Sequence, residues 1–245
     1  MRHLLFRVYG PISSWGDIAP GTHRPSLALP TRSAILGILG GALGLERTDE
    51  SGHDGLSRSI GIGIRTEAEG ALLMDYHTIQ SPSRERRAVW PTRREELQGR
   101  KLNTILTSRD YVQDIAFTIA VWEKDGRTDR LDDLAKALDR PRYPPYLGRR
   151  SCPPALPFAP HIVDAPTLRD AFRAARFPEI DGEVIRKLRN SEAGQEHLRV
   201  EFDVHANPGF EDVRTHRQRD QPLSRVRRTF IERVVHSTVA SKEES

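Results

Sequence analysis

Between Ser81 and Lys101 the chain carries Arg84, Arg86, Arg87, Arg93, Arg94, Arg100 and Lys101 against only Glu85, Glu95 and Glu96. Trp90 lies among these charges, Tyr76 and His77 precede them, and Tyr111 follows. Guanidinium groups neutralise phosphates, and interleaved aromatic rings offer unpaired bases a surface to stack on. The pattern is therefore what holding a single-stranded nucleic acid requires. A solvated loop kept soluble by its charge would look similar, although connections this long in compact domains tend to be functional or disordered.

Two shorter basic motifs lie elsewhere. In Leu147-Gly-Arg-Arg-Ser-Cys-Pro-Pro, Gly148 permits an unusual backbone angle, Arg149 and Arg150 supply forked donors, and Ser151 adds a hydroxyl. Tyr143 and Tyr146 stand just upstream as possible stacking platforms, and an ordinary turn before a proline-rich stretch is the competing reading. Thr31-Arg32-Ser33 follows Pro30 at a helix entrance, where free amides and the positive end of the helix dipole make a phosphate site. Capping with a surface arginine is the plainer alternative there. A C-terminal run, Arg214, His216, Arg217, Arg219, Arg225, Arg227, Arg228 and Arg233, is a further stripe that fits docking on an acidic partner equally well.

Support for catalysis is thin. His23 and His77 titrate near neutrality and could serve as acid and base in RNA cleavage, but nothing in their spacing brings them together. Asp17, Asp75, Asp110 and Asp114 are scattered, without the spacing of metal ligands, and Gly61-Ile-Gly is too short for a nucleotide fingerprint. Neither metal nor cofactor is expected. Cys152 is the single cysteine, which excludes an internal disulfide and a cysteine-based zinc site. The 38 Lys and Arg exceed the 34 Asp and Glu by only 4, so the electrostatic argument rests on where charge sits. The apolar run after Met1 is too short for a signal peptide and no later segment suits a bilayer, so a cytoplasmic location without membrane contact is expected.

The elements that must position these residues follow from hydrophobic patterning. Leu4–Tyr9 reads as a buried strand, and 34–45 as a helix with Ile35, Leu36, Leu39 and Leu43 on its apolar face. Gly37, Gly40 and Gly41 within it suggest that another backbone packs close. Strands are predicted at 59–65, 72–80, 103–106, 115–122, 198–205 and 229–235, and helices at 129–138 and 167–175. This order suits an α+β fold with a ferredoxin-like core. The core covers residues 1–140, a proline-rich connection 141–166, a smaller C-terminal β-rich lobe 167–236 and a flexible tail 237–245.

Several segments in order carry a family resemblance: Leu5-Phe-Arg-Val-Tyr-Gly-Pro-Ile-Ser-Ser-Trp-Gly-Asp, Arg24-Pro, Pro30-Thr-Arg-Ser-Ala-Ile-Leu-Gly, Asp75-Tyr-His-Thr-Ile-Gln, Ser108-Arg-Asp-Tyr and Tyr146-Leu-Gly-Arg-Arg-Ser-Cys-Pro. Over residues 4 to about 160 the chain resembles the CasD family, fifth-family Cas subunits of the RAMP superfamily found in type I-E CRISPR Cascade complexes. The resemblance implies an RRM-like, ferredoxin-type core with a protruding thumb β-hairpin at about 77–110. It also implies a non-catalytic subunit that caps the 5′ handle of the CRISPR RNA. Its other partners would be the neighbouring backbone subunit and the large subunit, with target DNA reached indirectly through the complex. RNA contacts are expected from Trp15, His23, Arg24, Thr31, Arg32, Ser33, Tyr76, His77, Gln80, Arg84, Arg86, Arg87, Arg109, Tyr111, Tyr146, Gly148, Arg149, Arg150 and Ser151. A metal-independent endoribonuclease acting on CRISPR repeat RNA is the alternative.

Overall fold

The first strand, β1 (Arg2–Ser13), is buried along most of its length because both of its faces are covered. The computed structural model describes residues 1–82, 89–98, 101–124, 129–178, 183–184, 186–188 and 197–241. Short strands β2 (Trp15–Gly16), β3 (His23–Arg24) and β4 (Ser26–Leu27) precede helix α1 (Arg32–Leu43). Thr31 caps α1 by accepting the Ala34 amide, and Gly44 closes it at φ 82°, a left-handed C-terminal turn that glycine adopts without strain. Then come α2 (Glu50–Ser59), β5 (Ile60–Ala68), β6 (Ala71–Pro82), α3 (Arg93–Leu97), β7 (Leu102–Glu123) and α4 (Arg130–Asp139). The last described elements are β8 (His161–Asp164), α5 (Leu168–Arg173), β9 (His197–Phe202), β10 (Arg214–Ser224) and β11 (Thr229–Ser241).

The architecture is mixed α/β, built on a large sheet. Its order is β10-β11-β9-β5-β7-β1-β8, with β3 and β6 also joined to β7. Among the described residues only its pairing of β3 with β7 is parallel. Alternation along β1 sends Leu4, Phe6 and Val8 to a core shared with Ile35 and Leu39 of α1 and Leu131 and Leu134 of α4. Leu5 faces the other way, to Trp122, Val200 and Phe202 beneath Leu168 and Phe172 of α5.

Several elements depart from the sequence-based expectation. α1 begins at Arg32 rather than Ala34, since Thr31 is the cap. α2 has a polar, glycine-containing sequence with no strong apolar period, and Asp49 starts it by accepting the Gly52 amide. The two strand pieces around Ser108-Arg-Asp are one strand of 22 residues, held through its polar middle by β3 on one side and β6 on the other. The start of the C-terminal basic stripe is a strand, β10, and β11 continues past Val235 to Ser241. The proline-rich stretch is laid along the core: Tyr143 and Arg142 amides donate to α1 carbonyls, and Leu147, Cys152 and Phe158 are buried.

Candidate nucleic-acid interface

Three basic segments that lie far apart in sequence meet around α1. The outward side of the helix carries Ser33, Ala34, Gly37 and Gly41, at helical spacing, and forms the floor of a cleft of about 1160 Å³. One wall is the turn with Tyr143, Tyr146, Gly148 and Arg150. The facing wall is the tip of the β10–β11 hairpin with Arg225, Arg228 and Phe230, and Arg47 joins at the end of α1. The four arginines face one carboxylate, Glu46, among the lining residues. Confined between low-dielectric walls, such a field concentrates anions.

The backbone expected to pack close to the helix glycines is present at Gly41, whose carbonyl accepts the Tyr143 amide, but it does not occupy the space where their side chains would stand. At Gly41 an added Cβ would meet nothing within 4 Å, and at Gly37 only Nη1 of Arg225 at 3.8 Å. Gly40 does have a close neighbour, the His53 ring at 2.9 Å, a side chain of α2. Two of the three glycines thus keep the floor low and open to a ligand.

Burial pushes the Arg225 guanidinium down from its ordinary value, and its Nε is buried with no hydrogen-bond partner among the described residues. Nδ1 of His53, a ring lowered first by burial and then by Arg225, is in the same condition. Buried polar atoms without partners are uncommon, and both of these belong to side chains that line the cleft.

Arg149 and Arg150 point to different places. Gly148 holds φ 84° with its Cα against Ser14, where a Cβ would lie 1.7 Å from the Ser14 carbonyl oxygen. This locks the turn onto the chain just after β1, with the Ser14 amide donating to Leu147. Arg150 lines the cleft, whereas Arg149 stacks 4.8 Å above the Tyr111 ring and donates to the Arg24 carbonyl. The turn therefore joins the cleft to a second basic surface at the base of the β6–β7 arm. There Arg24, Arg109 and Asp75 lie side by side on three adjacent strands.

The arm pairs Ala71 to Pro82 with Gln113 to Leu102, a ladder roughly 40 Å long. One face of it carries Asp75, His77 and Arg109. The other presents Leu72, Met74, Tyr76 and Leu106, each half or more exposed and uncharged. His23 pairs with Ser108 and so lies on the face opposite His77, whose partner is Thr107. Each imidazole is held by its own carboxylate, His23 by Asp110 at 2.9 Å and His77 by Asp75. The structure does not bring them together as an acid–base pair.

Not every expected contact faces outward. Trp15 is 1% exposed and packs edge-on against Phe117, because its alternation from β1 turns it into the core. Arg32 is 2% exposed, and its guanidinium donates to Asp203, to Ser57 and to the carbonyls of Ser57 and Ile60, so it has no fork left for phosphate. Nor is the start of α1 a row of free amides, since Asp220 accepts from the Arg32 amide and Thr31 from Ala34. Thr31 is buried and bonds Ser33, leaving Ser33 at the cleft. Tyr111 is buried beneath Arg149. Ser151 is exposed beside Cys152, Tyr76 is exposed on the arm, and the Gln80 carbonyl accepts from Arg93. Arg84, Arg86, Arg87 and Arg100 lie outside the described residues. Sequence reasoning misses Arg47, His53 and Phe230, and no motif marks them. Among the described residues no group of three or more His, Cys, Asp or Glu gathers to hold a metal.

Comparison with known proteins adds independent findings. The family model described as CRISPR-associated protein (Cas_Cas5) matches residues 3–236. The CRISPR system Cascade subunit CasD of Escherichia coli (strain K12) is 38% identical over 160 residues, 62% of this chain and 66% of that relative. The alignment thus spans slightly less than two thirds of the relative's length. A chain of a solved CRISPR RNA-guided surveillance complex superposes with a TM-score of 0.62 at 26% identity, covering 98% of this chain and 89% of the other. A crystal structure of a Cas protein, 24% identical with a TM-score of 0.61, covers 99% and 96% and supports the fold.

Proposed function

The chain belongs to the CRISPR-associated protein (Cas_Cas5) family, and on that premise we propose that it is a non-catalytic RNA-binding subunit of a type I-E Cascade complex. In this reading it caps the 5′ handle of the CRISPR RNA in the cleft above α1. The β6–β7 arm is the thumb of a ferredoxin-like, RRM-like core, and the neighbouring backbone and large subunits are the protein partners. The observation that carries the reading is the convergence of Arg47, Arg150, Arg225 and Arg228 on an open, small-residue helix face. Such a surface lets a phosphodiester backbone approach closely while its charge is neutralised.

Of the expected contacts, Ser33, Tyr146, Gly148 and Arg150 serve the cleft, with Arg47, Arg225 and Arg228 added. Arg24, Arg109 and Arg149 with His77 carry the strand onward along one face of the arm, Tyr76 and Gln80 offer contacts on its other face, and Arg84, Arg86 and Arg87, outside the described residues, are further RNA contacts in this reading. Trp15, Arg32, Thr31 and Tyr111 support these contacts from within.

The test is incubation of the purified chain with labelled CRISPR repeat RNA in the absence of divalent metal. Intact RNA bound in a complex that weakens about tenfold or more on Arg150→Ala is expected, since a charge-assisted contact is worth about 1.5–3 kcal/mol. Specific cleavage that disappears in His77→Ala would replace this reading with the endoribonuclease one.

A further inference from the structure

The C-terminal hairpin reaches the cleft through an irregularity in its own ladder. Gln218 pairs with Arg233 and Gln221 with Ile231, so Arg219 and Asp220 together oppose the single residue Glu232. In a regular strand Asp220 and Gln221 would point to opposite faces. The bulge lets both reach toward the helices: Asp220 accepts the Arg32 amide at 2.6 Å, and Gln221 donates to Ser57 at 2.9 Å.

Asp220 belongs to a closed ring of buried charges. Its carboxylate receives Nε and Nη2 of Arg233, whose Nη1 donates to Asp203 at 2.8 Å. Asp203 in turn accepts from Nε of Arg32 at 2.9 Å and from the Ile62 amide, with Lys124 at 3.7 Å. Asp203 and Asp220 are 5% and 3% exposed. The ring ties β10, β11 and the residue just after β9 to the first residue of α1 and to β5. Four residues beyond its edge comes the hairpin tip. There Ser224 donates to Glu50, Arg47 donates to the Arg225 carbonyl, and Nη1 of Arg225 reaches toward Gly37.

We propose that Asp220, acting through Arg233 and Asp203, is a positioning residue for RNA binding: the ring and its bulge hold the β10–β11 tip across the cleft, so that Arg225 and Arg228 engage phosphate only while the ring is closed. The inference rests on the reading of the cleft as an RNA site. Asp220 occupies the helix amide that a phosphate would otherwise take, so the anion's partners are the arginines of the tip rather than the helix N-terminus.

The experiment is a double-mutant cycle on the full chain with single-stranded CRISPR repeat RNA, paired with hydrogen exchange on the RNA-free protein. Asp220→Asn is expected to speed exchange over residues 222–230 and to weaken RNA binding about tenfold, lowering the salt slope by about 0.7 for each phosphate left without its arginine. In a background of Arg225→Ala with Arg228→Ala, the same substitution should weaken binding no further. Unchanged exchange at 222–230, or an undiminished additional weakening in that background, overturns the proposal. Should Asp220→Asn not fold, Arg233→Lys removes the fork while keeping a cation, and the same two readouts decide. Failure of the wild-type chain to bind RNA would overturn the functional reading, and exchange at the tip would still decide whether the ring holds it.

Discussion

Two imidazoles meet in the interior far from the basic surfaces. Nε2 of His3 lies 3.1 Å from Nε2 of His205, the rings stacked, and Trp122 sits edge-on to His205. Nδ1 of His205 accepts the Asn207 amide, so its proton is on Nε2 and is donated to His3. Both rings are therefore neutral. Burial, reinforced by His205 and the amino terminus, holds His3 down from 6.5 to about 4, and burial lowers His205 in the same direction. In the unfolded chain His3 takes up a proton near pH 6.5, which the folded chain refuses until about pH 4. Stability contributed by the neutral pair is thus present above pH 6.5 and lost as pH falls from there toward 4, by up to roughly 3 kcal/mol for His3. Denaturant melts of the wild type at pH 7 and pH 4.5 should differ by much of that amount. His3→Gln should be less stable at pH 7 but show a shallower decline; an equal decline would assign the acid sensitivity elsewhere.

At the level of the element, α1 is where function and folding ask for different residues. Gly37 and Gly41 each cost a helix about 1 kcal/mol relative to alanine, and among the described residues nothing fills the space at Gly41. Gly41→Ala should accordingly raise stability by up to about 1 kcal/mol in thermal melts while weakening RNA binding. A variant both more stable and equally tight would show that no ligand touches the floor. The helix itself is readable from its Pro30-Thr-Arg-Ser entrance and apolar period, and so are α4, from its spaced leucines, and α5, from its Thr167 cap. The burial of Arg32 is not, since what buries it is Asp203, 171 residues away, and Asp220, 188 residues away. β10 escapes for a related reason: its charged residues show no apolar alternation, and pairing with β11 makes it a strand. Of the cleft, the Gly-Arg-Arg-Ser turn and the helix entrance are visible as motifs, but their meeting with Arg47 and Arg225 is tertiary.

Across the whole molecule the charge excess is only 4, which gives little long-range attraction for a polyanion beyond a Debye length of about 8–10 Å at ordinary ionic strength. Affinity must come from local contacts, and these are grouped. Arg47, Arg150, Arg225 and Arg228 sit in the cleft, while Arg24, Arg109 and Arg149 sit at the base of the arm. A single strand running from one surface to the other would cover about four to seven phosphates, and each contributes about 0.7 to the salt slope. Binding of CRISPR repeat RNA, measured across a range of monovalent salt, should therefore show a log–log slope of about −3 to −5. Replacing both Arg225 and Arg228 with alanine should make it shallower by about 1.4, and Arg149→Ala with Arg109→Ala should do the same independently. A slope near zero would mean that stacking on Tyr146 and Phe230 rather than phosphate neutralisation holds the strand. A slope that responds only to the cleft variants would confine the RNA to the cleft and leave the arm to a protein partner.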